Sequence, residues 1–196
     1  MLLIRHGQSE FNVVFSATRQ DPGIRDPRLT DEGRRQAQQA AEAIARAGVT
    51  RIIASPYTRA LETAEIIAER LDLPIAVDAR IGERAAFACD VGTPTPDLRA
   101  RWPKLRLDHL DEVWWPTLEE SEAALGERCA LFRCEIARRQ DWASLAVISH
   151  WGFIRGLTGL TVGNCAVLRF DPHRTEASLF LPPATPGEPA PPGGVL

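Results

Sequence analysis

The sequence predicts an α/β domain with a mainly parallel sheet. Short β-rich runs alternate with longer helical segments, helix start and stop residues fall where the pattern changes, and no internal repeat interrupts the alternation. At 196 residues with 44% hydrophobic and 25% charged residues, the chain suits one domain with a sizeable core.

Leu2–Ile4 reads as a buried strand that turns at Gly7 into a helix. "TDEGRRQAQQAAEAIARA", Thr30–Ala47, reads as the next helix: Thr30 caps it, Asp31 and Glu32 suit its positive end, and Gly48 stops it. "TRIIAS" follows as a strand, with Pro56 as first residue of a helix running to about Leu71, and "PIAVD" is another strand. Residues 82–116, rich in Pro, Gly, Asp and Trp, yield no clear element. A long helix over Leu118–Arg139 leads to the strand "SLAVISH", a helix from Trp151 to about Gly159, and two strands near Ala166–Phe170 and Ala177–Leu181. The expected organisation is therefore a catalytic-sized domain over 1–181 and a Pro/Gly-rich, disordered tail over 182–196.

The formal net charge of −3 argues against a general nucleic-acid binder. Cys89, Cys129, Cys134 and Cys165 form no C-x-x-C pair and have no histidines at zinc-ligand spacing, so they read as buried or free thiols in a reducing compartment. Arg5 and His6 arrive too early for a signal peptide, and no apolar run approaches the roughly 18 residues of a membrane span. The expectation is a soluble cytoplasmic protein without nucleic-acid or membrane partners, of unspecified oligomeric state.

Ligands of open α/β sheets bind outside the carboxyl ends of the strands. Here those ends carry charge. The first strand ends in Arg5-His6-Gly7, the second in Ser55-Pro56 with Arg59 one helical turn on, and the late strand in Ser149-His150. If these strands are neighbours, two histidines and two arginines share one crevice with helix N-termini, an arrangement that attracts a small dianion.

"RHGQSEFN" at Arg5–Asn12, "LTDEGRRQA" at Leu29–Ala37, "SPYTRALETAEII" at Ser55–Ile67 and "SHWG" at Ser149–Gly152 resemble, in order, the blocks of the histidine phosphatase superfamily, also called the phosphoglycerate mutase-like family. The resemblance runs from Met1 to about Leu181 and implies a three-layer α/β/α sandwich. It implies His6 as a nucleophile that becomes phosphohistidine, and Arg5, Arg59 and His150 as holders of the phosphoryl oxygens, with a nearby dianion keeping His150 protonated. Asn12 adds a hydrogen bond, and no metal or cofactor is required. The family's proton donor is usually a carboxylate 20 to 30 residues beyond the second arginine, which Glu83 fits, with Asp90 as the fallback. The alternative acid, an aspartate directly after the late histidine, is absent, because Trp151 stands there. Trp151, often glycine in the family, and Trp114 and Trp115 are the weaker pocket candidates, each equally explained by packing; an aromatic cap there favours an apolar or ring-bearing leaving group. His109 and His173 lack family motifs and read as structural or exposed.

Mutases of the family are typically longer and follow the acid glutamate with His/Tyr-Gly, whereas Glu83 is followed by Arg-Ala-Ala-Phe. The reading is thus a metal-independent phosphomonoester hydrolase acting on a small phosphorylated metabolite. The alternatives are mutase-type phosphoryl transfer and a phosphate-binding module without turnover. The substrate stays open.

Overall fold

The computed structural model describes residues 1–174 and 177–180; the tail at 182–196, and Leu181 at the end of the last expected strand, lie outside the described residues. Six strands, β1 (Leu2–Arg5), β2 (Arg51–Ala54), β3 (Ile75–Val77), β4 (Leu145–Ser149), β5 (Val167–Phe170) and β6 (Ala177–Leu179), form one sheet in the order β3-β2-β4-β1-β5-β6. The first four in that order run parallel, and β5 and β6 add an antiparallel edge. The helices are α1 (Glu10–Thr18), α2 (Asp31–Ile44), α3 (Thr58–Leu71), α4 (Thr95–Arg101), α5 (Glu122–Ala137) and α6 (Trp151–Thr158).

Both faces of the sheet are covered, which is why its central strands are continuously apolar rather than alternating. Leu2, Ile4, Ile52, Ala146 and Ile148 face one way and pack with Ala41 and Ile44 of α2 and Leu61 and Ile67 of α3. Leu3, Ile53 and Val147 face the other way, onto Phe132 and Ile136 of α5 and Phe153 and Ile154 of α6. The result is a three-layer sandwich.

Three helix limits differ from the local pattern. α3 starts at Thr58, not at Pro56, because its first amide is capped from far along the chain: Thr58 N–H and Oγ1–H donate to the Asp26 carboxylate at 2.8 and 2.7 Å. α5 starts only at Glu122, where the Ser121 hydroxyl accepts the Ala124 N–H at 3.1 Å. α2 ends at Ile44, and Gly48, at φ +73°, closes the turn that follows. The stretch over 82–116 follows a short 3₁₀ turn at Ala79–Ile81 and contains a second one at Ala88–Asp90 and then α4. Among the described residues no helix is long and apolar enough to cross a membrane.

Candidate active site

Because β2, β4 and β1 are consecutive and parallel, their carboxyl ends lie side by side. The ladder continues just past them: His6 N–H donates to Ser149 O at 2.9 Å and Ser55 N–H to Ile148 O at 3.1 Å. This brings Arg5, His6, Arg59 and His150 together. The His6 and His150 ring centroids are 5.1 Å apart, and His6, Arg59 and His150 are only 3%, 2% and 0% exposed.

His6 Nδ1 lies 2.7 Å from the Gly7 carbonyl. A carbonyl only accepts, so Nδ1 carries the proton and Nε2 keeps its lone pair. Burial, then the Arg59 and Arg5 charges, push the His6 pKa well below the ordinary imidazole range, which holds the ring neutral. The Gly7 turn is fixed in place by its N–H to Thr63 Oγ1 at 3.0 Å, and Thr63 Oγ1–H in turn donates to Arg59 O at 2.7 Å. Gly7 and Gly33 approach each other so closely that a Cβ on Gly7 would overlap the Gly33 carbonyl.

The Arg59 guanidinium is aimed by three partners. It donates to Cys89 O at 2.8 Å and to Asp90 Oδ1 at 3.2 Å, and its Cζ sits 4.6 Å from the centroid of the Tyr57 ring. Arg5 Nη1 donates to Val162 O at 2.8 Å, while Arg5 Nε is buried without a hydrogen-bond partner. His150 presents a similar orphan: its Nε2 pairs with Ser55 Oγ at 2.8 Å and its buried Nδ1 has no partner. An unpaired buried polar atom costs about 1–3 kcal/mol, so these two nitrogens favour an oxyanion that engages them. Burial, then Arg59 and His6, push the His150 pKa well below its ordinary value; the protonated His150 expected from sequence therefore depends on a bound dianion.

Asn12 and Ser9 form a capping box at the start of α1. Asn12 Oδ1 accepts from Ser9 N–H at 3.0 Å and from Asn164 Nδ2 at 3.1 Å, which reserves the Asn12 amide NH₂ as a donor. Asn164 Nδ2 also donates to His6 O at 3.1 Å. Asn164, Thr63 and Ser55 act through other residues and carry no local signature beyond their polarity.

Glu83 lines the same cavity as His6, Arg5 and Arg59. Its Oε1 accepts from Gly152 N–H at 2.7 Å and from the Arg84 backbone N–H at 2.9 Å; neither the Arg80 nor the Arg84 guanidinium pairs with it, since these engage Asp78, Glu135, Glu119 and Glu122. Burial, then Asp90, raise the Glu83 pKa above the usual carboxylate range. Asp90, the fallback acid, lines the same cavity, but its carboxylate is already engaged: it is 2% exposed, pairs with Arg59, and accepts Ala86 N–H and Phe87 N–H at 3.0 Å each. Removing one partner of such a buried pair costs about 3–5 kcal/mol, so Asp90→Ala is expected to lower the melting temperature sharply and to release Arg59; unchanged thermal unfolding would refute this.

Arg128 holds the loop carrying Glu83 by three carbonyls, beside Arg84, which donates to Glu120 O at 2.9 Å. Arg128 donates to Arg80 O at 2.7 Å, Gly82 O at 2.9 Å and Glu83 O at 3.4 Å, and grips Glu120 at 2.9 and 2.6 Å. Arg128→Met is expected to lower kcat/KM about tenfold for an alkyl phosphate and much less for p-nitrophenyl phosphate, whose leaving group needs little proton help. Equal losses on both esters would make Arg128 a purely structural residue.

The cavity, about 510 Å³, is also lined by Phe11, Phe15, Phe87, Trp151 and Arg19. Trp151 is 41% exposed, with Arg155 Cζ 5.2 Å from its ring centroid. Trp114 and Trp115 do not reach this cavity. They stack edge-on at 5.4 Å, Trp114 against Tyr57 at 4.7 Å, and line a separate recess of about 340 Å³ behind Glu83. The Trp114 Nε1–H donates to Thr93 O at 2.9 Å, which fixes the orientation of its ring. The aromatic wall is instead phenylalanine, supplied at Phe11 and Phe15 by the i, i+4 face of α1. His109 pairs with Val77 O at 2.8 Å and His173 lies exposed against Trp142.

The sequence model of the histidine phosphatase superfamily (branch 1) matches residues 1–179. A glucosyl-3-phosphoglycerate phosphatase from Mycolicibacterium vanbaalenii is 30% identical over 86% of this chain and 78% of its own length. A probable phosphoglycerate mutase GpmB from Proteus mirabilis is 44% identical over 81 residues, 41% of this chain and 36% of that protein. Among solved structures, a mycobacterial glucosyl-3-phosphoglycerate phosphatase in complex with VO3 superposes with a TM-score of 0.63 at 24% identity, covering 91% of this chain and 96% of that one.

Proposed function

The chain belongs to the histidine phosphatase superfamily, branch 1, as a phosphomonoesterase, and we propose that it turns over through a phosphohistidine on His6. The observation that carries this is the tautomer: the Gly7 carbonyl binds the Nδ1 proton and leaves Nε2 as a buried, neutral nucleophile. The Nε2 lone pair forms the bond to phosphorus as the bond to the leaving oxygen breaks. Arg5, Arg59, His150 and the Asn12 NH₂ hold the three equatorial oxygens as charge spreads over them. Glu83, whose raised pKa favours the protonated form, gives its proton to the leaving oxygen. The resulting carboxylate then takes a proton from water as that water attacks phosphorus, the P–N bond breaks, and inorganic phosphate leaves.

In this reading the cationic side chains occupy the place of a metal, so turnover is independent of added metal. The catalytic unit spans 1–181 and the substrate is a small phosphorylated metabolite. A cytoplasmic location is supported by four free cysteines. The test is rapid acid-free quenching of the enzyme with ³²P-labelled substrate in EDTA. Label that is stable to base, labile to acid and located on His6 is expected; label elsewhere, or loss of turnover in EDTA, overturns the mechanism. The match to a probable phosphoglycerate mutase favours one second reading, intermolecular return of the phosphoryl group. Incubation with 3-phosphoglycerate separates the two, since a mutase yields an isomer and a phosphatase yields inorganic phosphate.

A further inference from the structure

Outside the phosphoryl-binding end, the cavity is walled by aromatic rings, of which Phe11 is buried at 7% exposure and the others are more open. Phe11 and Phe15 stack at 5.1 Å with 16° between their planes, and Phe87 closes against them at 5.7 and 5.2 Å. None of the three belongs to either packed cluster on the faces of the sheet. They form a satellite patch assembled from two separate segments, α1 and the loop that carries Asp90.

That patch is not closed. Phe87 is 44% exposed and Trp151, across the cavity, 41%. The loop bearing Phe87 is nevertheless held firmly: Asp90 accepts the Phe87 N–H at 3.0 Å, and the neighbouring Ala88 N–H donates to Asp21 Oδ2 at 2.8 Å. Exposed rings on a fixed backbone, contiguous with an anion site, have the character of a preformed ligand wall: mostly apolar, with few polar groups. The polar exceptions are Ser16 and Arg19, which are exposed on the last turn and C-cap of α1, and Arg84, whose guanidinium is already paired with Glu119 and Glu122. A sugar hydroxyl placed against three phenyl rings would lose hydrogen bonds to water without replacing them, whereas a ring or alkyl body would bury apolar surface.

From these walls we propose that the leaving group is an apolar, ring- or alkyl-bearing alcohol, seated between the Phe11–Phe15–Phe87 cluster and Trp151. This rests on the phosphatase reading above, and it assigns Phe87 and Phe15 as specificity-determining residues.

The test compares esters of matched leaving-group acidity, so that intrinsic reactivity cancels: ethyl phosphate with 4-phenylbutyl phosphate, phenyl phosphate with 2-naphthyl phosphate, and glucose 6-phosphate as a polar alkyl control. The larger apolar member of each pair is expected to show a kcat/KM at least about tenfold higher, mostly through KM. Phe87→Ala should shrink that ratio by about fivefold or more, because it removes the most exposed ring of the wall. Inhibition provides a measure that needs no turnover: phenylpropylphosphonate should bind at least about tenfold more tightly than methylphosphonate, and less so in Phe87→Ala. Equal kcat/KM across the pairs, preference for glucose 6-phosphate, or a ratio untouched by Phe87→Ala overturns the substrate class while leaving the phosphatase reading intact. Folded enzyme that hydrolyses none of these esters yet ranks the phosphonates as expected removes the phosphatase reading alone.

Discussion

Replacing His6 by alanine is expected to lower kcat for p-nitrophenyl phosphate by about 10,000-fold or more, because the nucleophile of the first step is lost and no neighbour substitutes for it. His150 is the only other imidazole at the site, but its Nε2 is engaged by Ser55 and its ring is fully buried. The anion site itself should survive, since Arg5, Arg59 and His150 are held by Val162 O, Cys89 O, Asp90 and Ser55 rather than by the His6 side chain. His6→Ala should therefore still bind vanadate or inorganic phosphate while forming no labelled phosphoenzyme. Residual turnover within tenfold of wild type would sink the phosphohistidine mechanism, and an unchanged low activity in both proteins would point to a binding module.

The second large effect belongs to Glu83. As general acid it acts in its protonated form, and its raised pKa extends that form to higher pH; activity is therefore lost as pH rises through the Glu83 pKa. His6 must be neutral, and its depressed pKa keeps it so well below the ordinary imidazole range; the acid limb thus falls lower than an unperturbed histidine would place it. The two shifts move the limbs apart and widen the plateau between them. In Glu83→Gln, kcat/KM for an alkyl phosphate should drop by about 100- to 10,000-fold and the alkaline limb should vanish, whereas p-nitrophenyl phosphate should lose about tenfold or less in the same parameter. Equal losses on both esters, or an alkaline limb that persists, would transfer the acid role away from Glu83. Gly152 gives an independent check on the same carboxylate. A Cβ there would strike Glu83 Oε1, so Gly152→Ala should mimic Glu83→Gln in its dependence on the leaving group.

Much of this architecture was legible along the chain. The strands β1, β2 and β4 announce themselves as short apolar runs because both their faces are buried, and each ends abruptly in Arg5-His6, Ser55 or His150 because the carboxyl ends of the strands form the binding edge of the sheet. Helix α2 showed its own cap at Thr30, and α6 its own stop at Gly159, since both signals act within a turn of the helix. The start of α3 did not show itself, because its cap, Asp26, comes from another loop.

The sequence by itself determined the sheet, its polarity, and which charged residues stand at its binding edge, because side-chain period, capping and strand termination are local physics. Only the tertiary structure decided which of those residues share a cavity and how each is tuned. It took Asp90 from acid candidate to buried partner of Arg59, sent Trp114 and Trp115 behind Glu83, and brought Phe11, Phe15 and Phe87 to the cavity wall. Those outcomes depend on desolvation and on contacts between segments dozens of residues apart. Neither the desolvation of a polar group nor long-range pairing leaves a periodic trace in the chain that makes it.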